Sequence, residues 1–143
     1  MSLEIFEISA GDKRFAACME IRLAVFVAEQ NVPLEEEQDG HDATARHFLA
    51  MLGGAPVGNA RVLEKPDGIK ITRVAVRREA RGQGIGEALM RHIETSIAAR
   101  RFMLDAQLTA LRFYERLGYV AVGETFMEAG IAHRRMVKAS GAA

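Results

Sequence analysis

The sequence predicts a mixed α/β fold in which a central mixed β-sheet is flanked by helices. Short apolar runs with strand character alternate with segments whose apolar residues recur every three or four positions. Gly53-Gly54 joins two of the strands as a hairpin, whereas helices separate others and require crossovers. The resulting order, β-α-β-β-β-α-β-α-β-β, combines hairpins with crossovers, so we expect a mixed rather than an all-parallel sheet.

The first half of the chain predicts one long helix and four strands. Asp12 is the expected N-cap of a helix whose apolar stripe runs from Phe15 to Phe26. Arg22 interrupts this stripe and is expected at the core edge or beside an acidic partner. Glu29 to Arg46 is expected to form an irregular acidic loop with a short helical turn. The strands are predicted at residues 3–8, 47–52, 56–63 and 69–76.

The second half predicts two helices and three strands. The first helix carries an apolar residue at every fourth position from Ile85 to Ile97. The second includes Phe113 and Tyr114 and is stopped by Gly118 as its C′ residue. Strands are predicted at residues 102–106, 119–122 and 131–137. With no repeat or internal linker, residues 1–143 are expected to form one domain.

Composition and charge argue against several protein classes. Of the 143 residues, 49% are hydrophobic and 27% are charged, as in soluble globular domains. The 19 basic and 19 acidic residues balance, which argues against a nucleic-acid or membrane partner. No apolar run approaches the ~20 residues of a membrane span, and no signal peptide is evident, so we expect a cytoplasmic protein. Cys18 is the only cysteine and is expected to be a small buried hydrophobe.

The charges are unevenly distributed. Six acids and no basic residue lie between Glu29 and Asp42, whereas seven arginines and three acids lie between Arg73 and Arg101. The functional interpretation is an anionic cofactor at the basic segment and a cationic substrate near the acidic one. Two solvated faces are the alternative.

The segment Arg81-Gly82-Gln83-Gly84-Ile85-Gly86 follows a strand and opens a helix. Its glycines let the backbone pass close to a bulky anion, and the helix start presents unpaired N–H groups. These features predict a phosphate cradle, with a purely structural turn as the alternative. The chain has no P-loop, and neither glycine pair has the third glycine of the dinucleotide fingerprint.

Two motifs resemble the GCN5-related N-acetyltransferase (GNAT) superfamily. The glycine segment resembles its motif A, Gln/Arg-x-x-Gly-x-Gly/Ala, and the segment from Phe113 to Tyr119 resembles its motif B. The stretch RLAVFVAEQNVP from Arg22 to Pro33 and the segment Gly130 to His133 resemble the ElaA/YjcF-like subgroup. The resemblance covers essentially the whole chain and implies the GNAT acyl-CoA N-acyltransferase fold.

The resemblance also implies an acetyl-CoA cosubstrate and the residues that hold it. Tyr114 would protonate the leaving thiolate, although a core tyrosine with a satisfied hydroxyl is the alternative. Gln107 would bond the pantetheine amide. An oxyanion donor is expected among the backbone groups of Val74 to Val76. The implied cofactor-binding residues are Val74, Ala75, Val76, Arg81, Gly82, Gln83, Gly84, Ile85, Gly86, Gln107 and Tyr114.

The general base cannot be carried over from the family, because the strand before the glycine turn has no carboxylate. His133 is the preferred candidate, and a free amine delivered by solvent is an open alternative. The other candidates are His41, His47, Glu29 and Asp39. Asp39, His41, Asp42 and His47 match no standard zinc spacing, so no metal is expected.

The predicted function is therefore acetyl transfer from CoA to an amine of a small-molecule or peptide acceptor. The acidic segment favours a cationic acceptor. A non-catalytic acyl-CoA-binding sensor and an interaction protein with a structural glycine turn are the rival hypotheses. Homodimers through the C-terminal strands are common in such folds, so a homodimer remains open.

Overall fold

The computed structural model describes residues 2–140 and contains the mixed sheet that the sequence predicts. Seven strands lie in the order β1-β2-β3-β4-β5-β7-β6, and only the β4–β5 pair is parallel. The strands are β1 Leu3–Ile8, β2 Arg46–Leu52, β3 Ala55–Lys65, β4 Gly68–Val76, β5 Arg101–Gln107, β6 Val120–Glu128 and β7 Ile131–Ala139.

The helices are α1 Phe15–Arg22, α2 Leu34–Glu37, α3 Ile85–Ser96 and α4 Leu111–Arg116. The short α2 confirms the helical turn expected in the acidic segment. The first predicted helix differs in two respects. Asp12 does not cap it: its carboxylate accepts a hydrogen bond from the N–H of Arg14 (2.8 Å), and α1 begins at Phe15. Beyond Arg22 the chain continues as a π-helical segment, Leu23–Glu29.

Each face of the sheet carries its own apolar core. The larger core packs α3 and α4 on one face, with Leu89, Ile93 and Phe102 fully or almost fully buried. The smaller core packs α1 and the π-helical segment on the other face through Cys18 and Ile21. Cys18 is buried as expected, and burial raises the pKa of its thiol to about 12, so it remains a neutral thiol.

Helix α1 and the π-helical segment cover only part of their face of the sheet, because they pack mainly against β2, β3 and β4. The part formed by β5 and β7 is therefore open to a ligand. The edge strand β6 is longer than predicted and runs on to Glu128. It is exposed along most of its length, so its sequence lacks the alternation of a half-buried strand. No helix within residues 2–140 is long and apolar enough to cross a membrane.

Candidate active site

A cleft opens in the middle of the sheet, where β4 and β5 diverge. Only Ile69 and Lys70 of β4 pair with β5, opposite Phe102 and Met103, so the carboxyl-terminal part of β4 has a neighbour on one side only. The cleft contains a cavity of about 1210 Å³. Sites for drug-sized ligands measure roughly 300–1,000 Å³, so this cavity has room for a large cofactor together with an acceptor. All the predicted site residues except Gln83 line it.

The end of β4 presents free backbone groups to this cleft. The N–H of Arg77 donates to Val57 O on β3 (2.8 Å), so the backbone at Arg77 faces β3. Successive residues of a strand direct their backbone groups to alternate sides. The backbone groups of Val76 and of Val74 therefore face the cleft. Val76 O accepts a hydrogen bond from Arg81 Nε (2.9 Å), and the remaining groups form the unpaired edge to which an extended ligand can add as a half-strand.

The glycine turn lies beside this edge and opens α3, as predicted. Gly82 and Gly84 have φ values of +82° and +78°, which L-residues with a side chain rarely adopt, and their Cα atoms face open space. Gly86 has a different role, because a Cβ there would lie 3.2 Å from the Phe113 ring. The turn thus combines two glycines required by backbone conformation with one required by packing. Gln83 directs its side chain away, to Ala80 O (3.2 Å).

Arg81 is anchored at the mouth of the turn. Its Nε donates to Val76 O (2.9 Å), and its two terminal nitrogens bind the carboxylate of Glu29 at 3.0 and 2.8 Å. Arg78 also contacts Glu29 (3.4 Å). The hydrogen bonds from Arg81 hold the pKa of Glu29 below its usual value. Glu29 is therefore a counter-ion at the glycine turn, which argues against it as the general base.

Tyr114 of α4 lines the cavity and has its ring packed against Phe113 and Tyr119. The residue is 8% exposed, and burial raises the pKa of its phenol above the usual value. Within residues 2–140 its hydroxyl has no hydrogen-bond partner, in contrast to Tyr119, whose hydroxyl donates to Glu94 (2.7 Å). This observation favours the functional interpretation of Tyr114 over the alternative of a core tyrosine with a satisfied hydroxyl. A neutral O–H is available to a ligand in the cleft.

Gln107 and His133 lie opposite each other on β5 and β7, on the face of the sheet that α1 leaves uncovered. The Nε2 of Gln107 donates to Oε1 of Gln30 (2.8 Å), which follows the π-helical segment. This bond joins the two sides of the cleft. The side chain of Gln107 is thus partly engaged within the protein, and its Oε1 is the group left for a ligand.

His133 has a defined tautomer. Its Nδ1 lies 2.6 Å from Ile131 O, and since a carbonyl only accepts, Nδ1 carries the proton. Nε2 then holds the lone pair of the neutral ring and is 3.9 Å from Glu128. His41 also lines the cavity, whereas the buried His47 does not and is bonded instead to Asp42 O (2.9 Å).

The acidic segment is largely neutralised by arginines. Arg22 and Glu37, both almost fully buried, pair at 2.7 Å, and Arg61 binds Asp39 at 2.7 Å. Both arginines also contact Asp42 at 2.9 Å. The buried ion network, named for its buried centre of Arg22, Arg61 and Glu37, also includes the more exposed Arg73, Asp39 and Asp42.

This network shows how the acidic and basic segments of the sequence are arranged in the fold. The basic segment supplies Arg73, Arg78 and Arg81, which pair with acids of the segment from Glu29 to Asp42, so the two segments neutralise each other. Burial alone would raise the pKa of Asp39, but hydrogen bonds from Arg61 and the His41 N–H hold it well below its usual value. Such a carboxylate is a poor base. Within residues 2–140 no metal-binding cluster of His, Cys, Asp or Glu occurs.

Sequence reasoning missed two residues beside the β4 edge: Arg73, which lines the cavity, and Asn59, which does not. Arg73 has a φ of +54° and lies in a β-bulge, where β4 places two residues opposite Ala60 of β3. The buried Asn59 donates to Arg73 O (3.0 Å). The apolar residues of β4 carry the signal, since their spacing of two changes to three between Ile71 and Val74.

Comparison with known proteins identifies the family. The profile of the Acetyltransferase (GNAT) domain matches residues 14–140. The uncharacterized N-acetyltransferase YjcF of Bacillus subtilis is 36% identical over 135 residues, covering 92% of this chain and 96% of YjcF. Protein ElaA of Escherichia coli is 35% identical over 131 residues, covering 85% of each chain.

Solved structures agree. The crystal structure of Escherichia coli ElaA has a TM-score of 0.85 at 30% identity and covers 96% of this chain and 99% of ElaA. An acyl-CoA N-acyltransferase from Pseudomonas aeruginosa has a TM-score of 0.85 at 31% identity and covers 96% of this chain and all of the other. The divergent strands, the glycine turn and these similarities agree: the chain is an N-acetyltransferase that belongs to the GNAT family, within its ElaA/YjcF-like subgroup.

Proposed function

We propose that this enzyme transfers the acetyl group of acetyl-CoA directly to an amine of a small or cationic acceptor. The observation that carries the proposal is the unpaired edge of β4, which ends beside the glycine turn in one continuous cavity. An extended pantetheine arm fits such an edge, and a pyrophosphate fits the N–H groups of Gln83, Gly84, Ile85 and Gly86. The similarity to the acyl-CoA N-acyltransferase from Pseudomonas aeruginosa supports this cosubstrate.

The reaction forms a C–N bond and breaks a C–S bond, so the amine must lose a proton and the thiolate must gain one. Acetyl-CoA supplies an acyl group already activated as a thioester. Arg81 binds phosphate at the mouth of the glycine turn, in exchange for Glu29. Tyr114, which lines the cavity, holds a proton on a hydroxyl that no protein group within residues 2–140 engages. That proton is available to the thiolate, and the backbone N–H groups of β4 stabilise the developing oxyanion.

His133 is the residue we propose for removing the proton from the amine. When the ring is neutral, its Nε2 carries the lone pair, because Nδ1 donates to Ile131 O. It lies opposite Gln107 at the open face of the sheet, away from the glycine turn. Glu29 and Asp39 are excluded by their arginine partners and His47 by its place outside the cavity, so His41 is the remaining side-chain alternative.

The acceptor is proposed to be cationic because two carboxylates of the cavity lining, Glu35 and Glu36, have no ion-pair partner within residues 2–140. The double substitution Glu35→Gln and Glu36→Gln should raise the acceptor KM and leave the acetyl-CoA KM unchanged. Glu37 does not belong in this test, since it is buried against Arg22. An unchanged acceptor KM would refute the charge argument. A cytoplasmic location and one domain over residues 1–143 complete the proposal.

Thermal unfolding with CoA, acetyl-CoA and ATP, measured side by side, tests the cofactor site. A ligand that binds only the folded protein adds about 2.7 kcal/mol of stability at a concentration ~100-fold above its Kd. We expect both CoA species to raise the melting temperature and ATP to leave it unchanged. Absence of any rise with CoA and acetyl-CoA would reduce the glycine turn to a structural feature. The proposed reaction would then fail.

A further inference from the structure

We propose that Asn59 and Arg73 are positioning residues, which hold the peptide between Arg73 and Val74 so that the Val74 N–H faces the reacting carbonyl. The inference rests on the proposed function, because it names the side chains that aim the oxyanion donor of that reaction. It selects one oxyanion donor among the backbone N–H groups of Val74 to Val76. It also assigns a role to two residues that lie outside the glycine turn and motif B.

Asn59 determines the direction of this N–H. Its Nδ2 donates to Arg73 O at 3.0 Å. The peptide bond is trans, so its C=O and N–H point in opposite directions. Asn59 belongs to β3, which borders β4 on the side away from the cleft. The Val74 N–H therefore points toward the cleft, in agreement with the alternation of backbone groups from Arg77.

Arg73 anchors the same peptide through its own side chain. A left-handed φ costs a residue with a side chain roughly 1–2 kcal/mol, so the bulge needs compensation. The guanidinium supplies it by binding Glu37 Oε2 (3.1 Å) and Glu37 O (2.9 Å), Glu36 O (3.2 Å) and Asp39 Oδ2 (3.3 Å). The arginine thus fastens the bulge to the carboxyl end of α2 and the loop that follows.

The bulge also sets which side chains face each core. Ile71 and Val74 both pack in the larger core, although they are an odd number of residues apart, whereas Ala75 packs in the smaller one. Side chains alternate strictly in a regular strand, so only the extra residue at Arg73 permits this arrangement. Core packing therefore keeps the bulge in place. Asn59 and Arg73 are left to set the orientation of the 73–74 peptide within it.

The burial of Asn59 is explained by its Nδ2 donor rather than by packing. It is fully buried, and its Oδ1 has no protein partner within residues 2–140. A buried acceptor without a partner opposes stability. An apolar side chain of similar size would avoid that cost but would leave Arg73 O without its donor.

Infrared difference spectroscopy of bound acetyl-CoA, isotopically labelled at its carbonyl carbon, tests the inference. Hydrogen bonding lowers the carbonyl stretching frequency, so the wild-type protein should bind the thioester with a frequency below that in solution. Asn59→Leu and Arg73→Ala should each lose most of this shift. Calorimetry should show CoA affinity within about threefold of wild type, because the glycine turn is unchanged. Arg73→Gly tolerates the φ of +54° and should retain more of the shift than Arg73→Ala.

Arg46→Ala is the matched control. It removes an arginine that pairs with Glu7 on the far side of the sheet and should leave the shift intact. A full shift in both Asn59→Leu and Arg73→Ala would overturn the inference while acetyl-CoA binding upheld the proposed function. Failure of the wild-type protein to bind acetyl-CoA would instead refute the proposed function and this inference with it. If Asn59→Leu does not fold, the comparison of Arg73→Ala with Arg73→Gly tests the inference.

Discussion

The two tyrosines of the α4 region differ in one property that bears on catalysis. Tyr114 has a hydroxyl without a protein partner within residues 2–140, and the hydroxyl of Tyr119 donates to Glu94. Removing a general acid costs ~10²-fold or more in kcat. We therefore expect Tyr114→Phe to lower kcat by about that factor with little change in the acetyl-CoA KM. The kcat of both proteins is measured as the rate of CoA release in the presence of an amine that the wild type acetylates.

Tyr119→Phe is the control for that substitution. It removes the same atom from a residue outside the cavity, so it should lower the melting temperature and leave kcat unchanged. Equal rates for Tyr114→Phe and the wild type would contradict the role of Tyr114 as proton donor.

Glu29 occupies the place at Arg81 that a phosphate would take. Because carboxylate and phosphate compete for the same guanidinium, Glu29→Gln should tighten CoA binding. Ion pairs at partly exposed sites are worth ~0.2–1 kcal/mol, which corresponds to at most about a fivefold fall in Kd. Calorimetry at low ionic strength measures the change.

Glu20→Gln is the matched control, since Glu20 pairs with Arg77 and is largely exposed. Its CoA affinity should equal that of the wild type. Weaker binding by Glu29→Gln would contradict competition and show that Glu29 instead holds Arg81 in the orientation that binds the phosphate.

At the scale of elements, hydrophobic patterning predicted the start of α3 and every strand except the later part of β6, because strands and an amphipathic helix bury one face each, whereas β6 is exposed along most of its length. It did not predict the π-helical segment. The stripe from Phe15 to Phe26 has helical spacing, but that spacing does not report the hydrogen-bond pattern after Arg22. The glycine turn was predicted because positions with positive φ are usually occupied by glycine, which is visible in the sequence. The bulge at Arg73 was missed because an arginine takes the position where glycine would mark it.

The glycine turn gives a prediction about an element rather than a side chain. Gly84→Ala forces a left-handed φ on alanine, which costs roughly 1–2 kcal/mol, and puts a methyl group at the start of α3. We expect a lower melting temperature and loss of the further rise that CoA induces. Gly54→Ala has nearly the same φ, +83°, and equally open surroundings, but it lies in the β2–β3 hairpin. It should lose similar stability and keep the response to CoA. A normal CoA response in Gly84→Ala would refute the anion cradle.

At the scale of the whole molecule, the buried ion network joins α1, the acidic loop and the central strands. Sequence composition showed an acidic and a basic segment but contained no information on distance, so their mutual neutralisation could not be predicted. The structure shows that Arg22, Arg61 and Arg73 reach the loop from α1, β3 and β4 respectively. The loop that forms one wall of the cleft is thus fixed to the sheet by charge pairs rather than by an apolar core.

This arrangement predicts a specific acid sensitivity. The pKa values of Asp39 and Asp42 are lowered in the folded state, because hydrogen bonds from arginines outweigh the effect of burial. Their contribution to stability is therefore fully present above the unfolded value of about 3.9 and is lost as the pH falls through the lower folded values. Burial also lowers the pKa of His47, so a smaller loss begins below about pH 6.5. Urea unfolding between pH 7 and pH 3 should show a gentle decline in the free energy of unfolding, followed by a steep one.

Asp39→Asn should lower the free energy of unfolding at neutral pH, since Arg61 is buried, and should flatten the steep part of its decline at low pH. The exposed Asp67, which lies 4.0 Å from Arg101, gives the control Asp67→Asn, which should leave the curve nearly unchanged. An identical acid limb in Asp39→Asn and the wild type would show that the network does not set the acid stability of the fold.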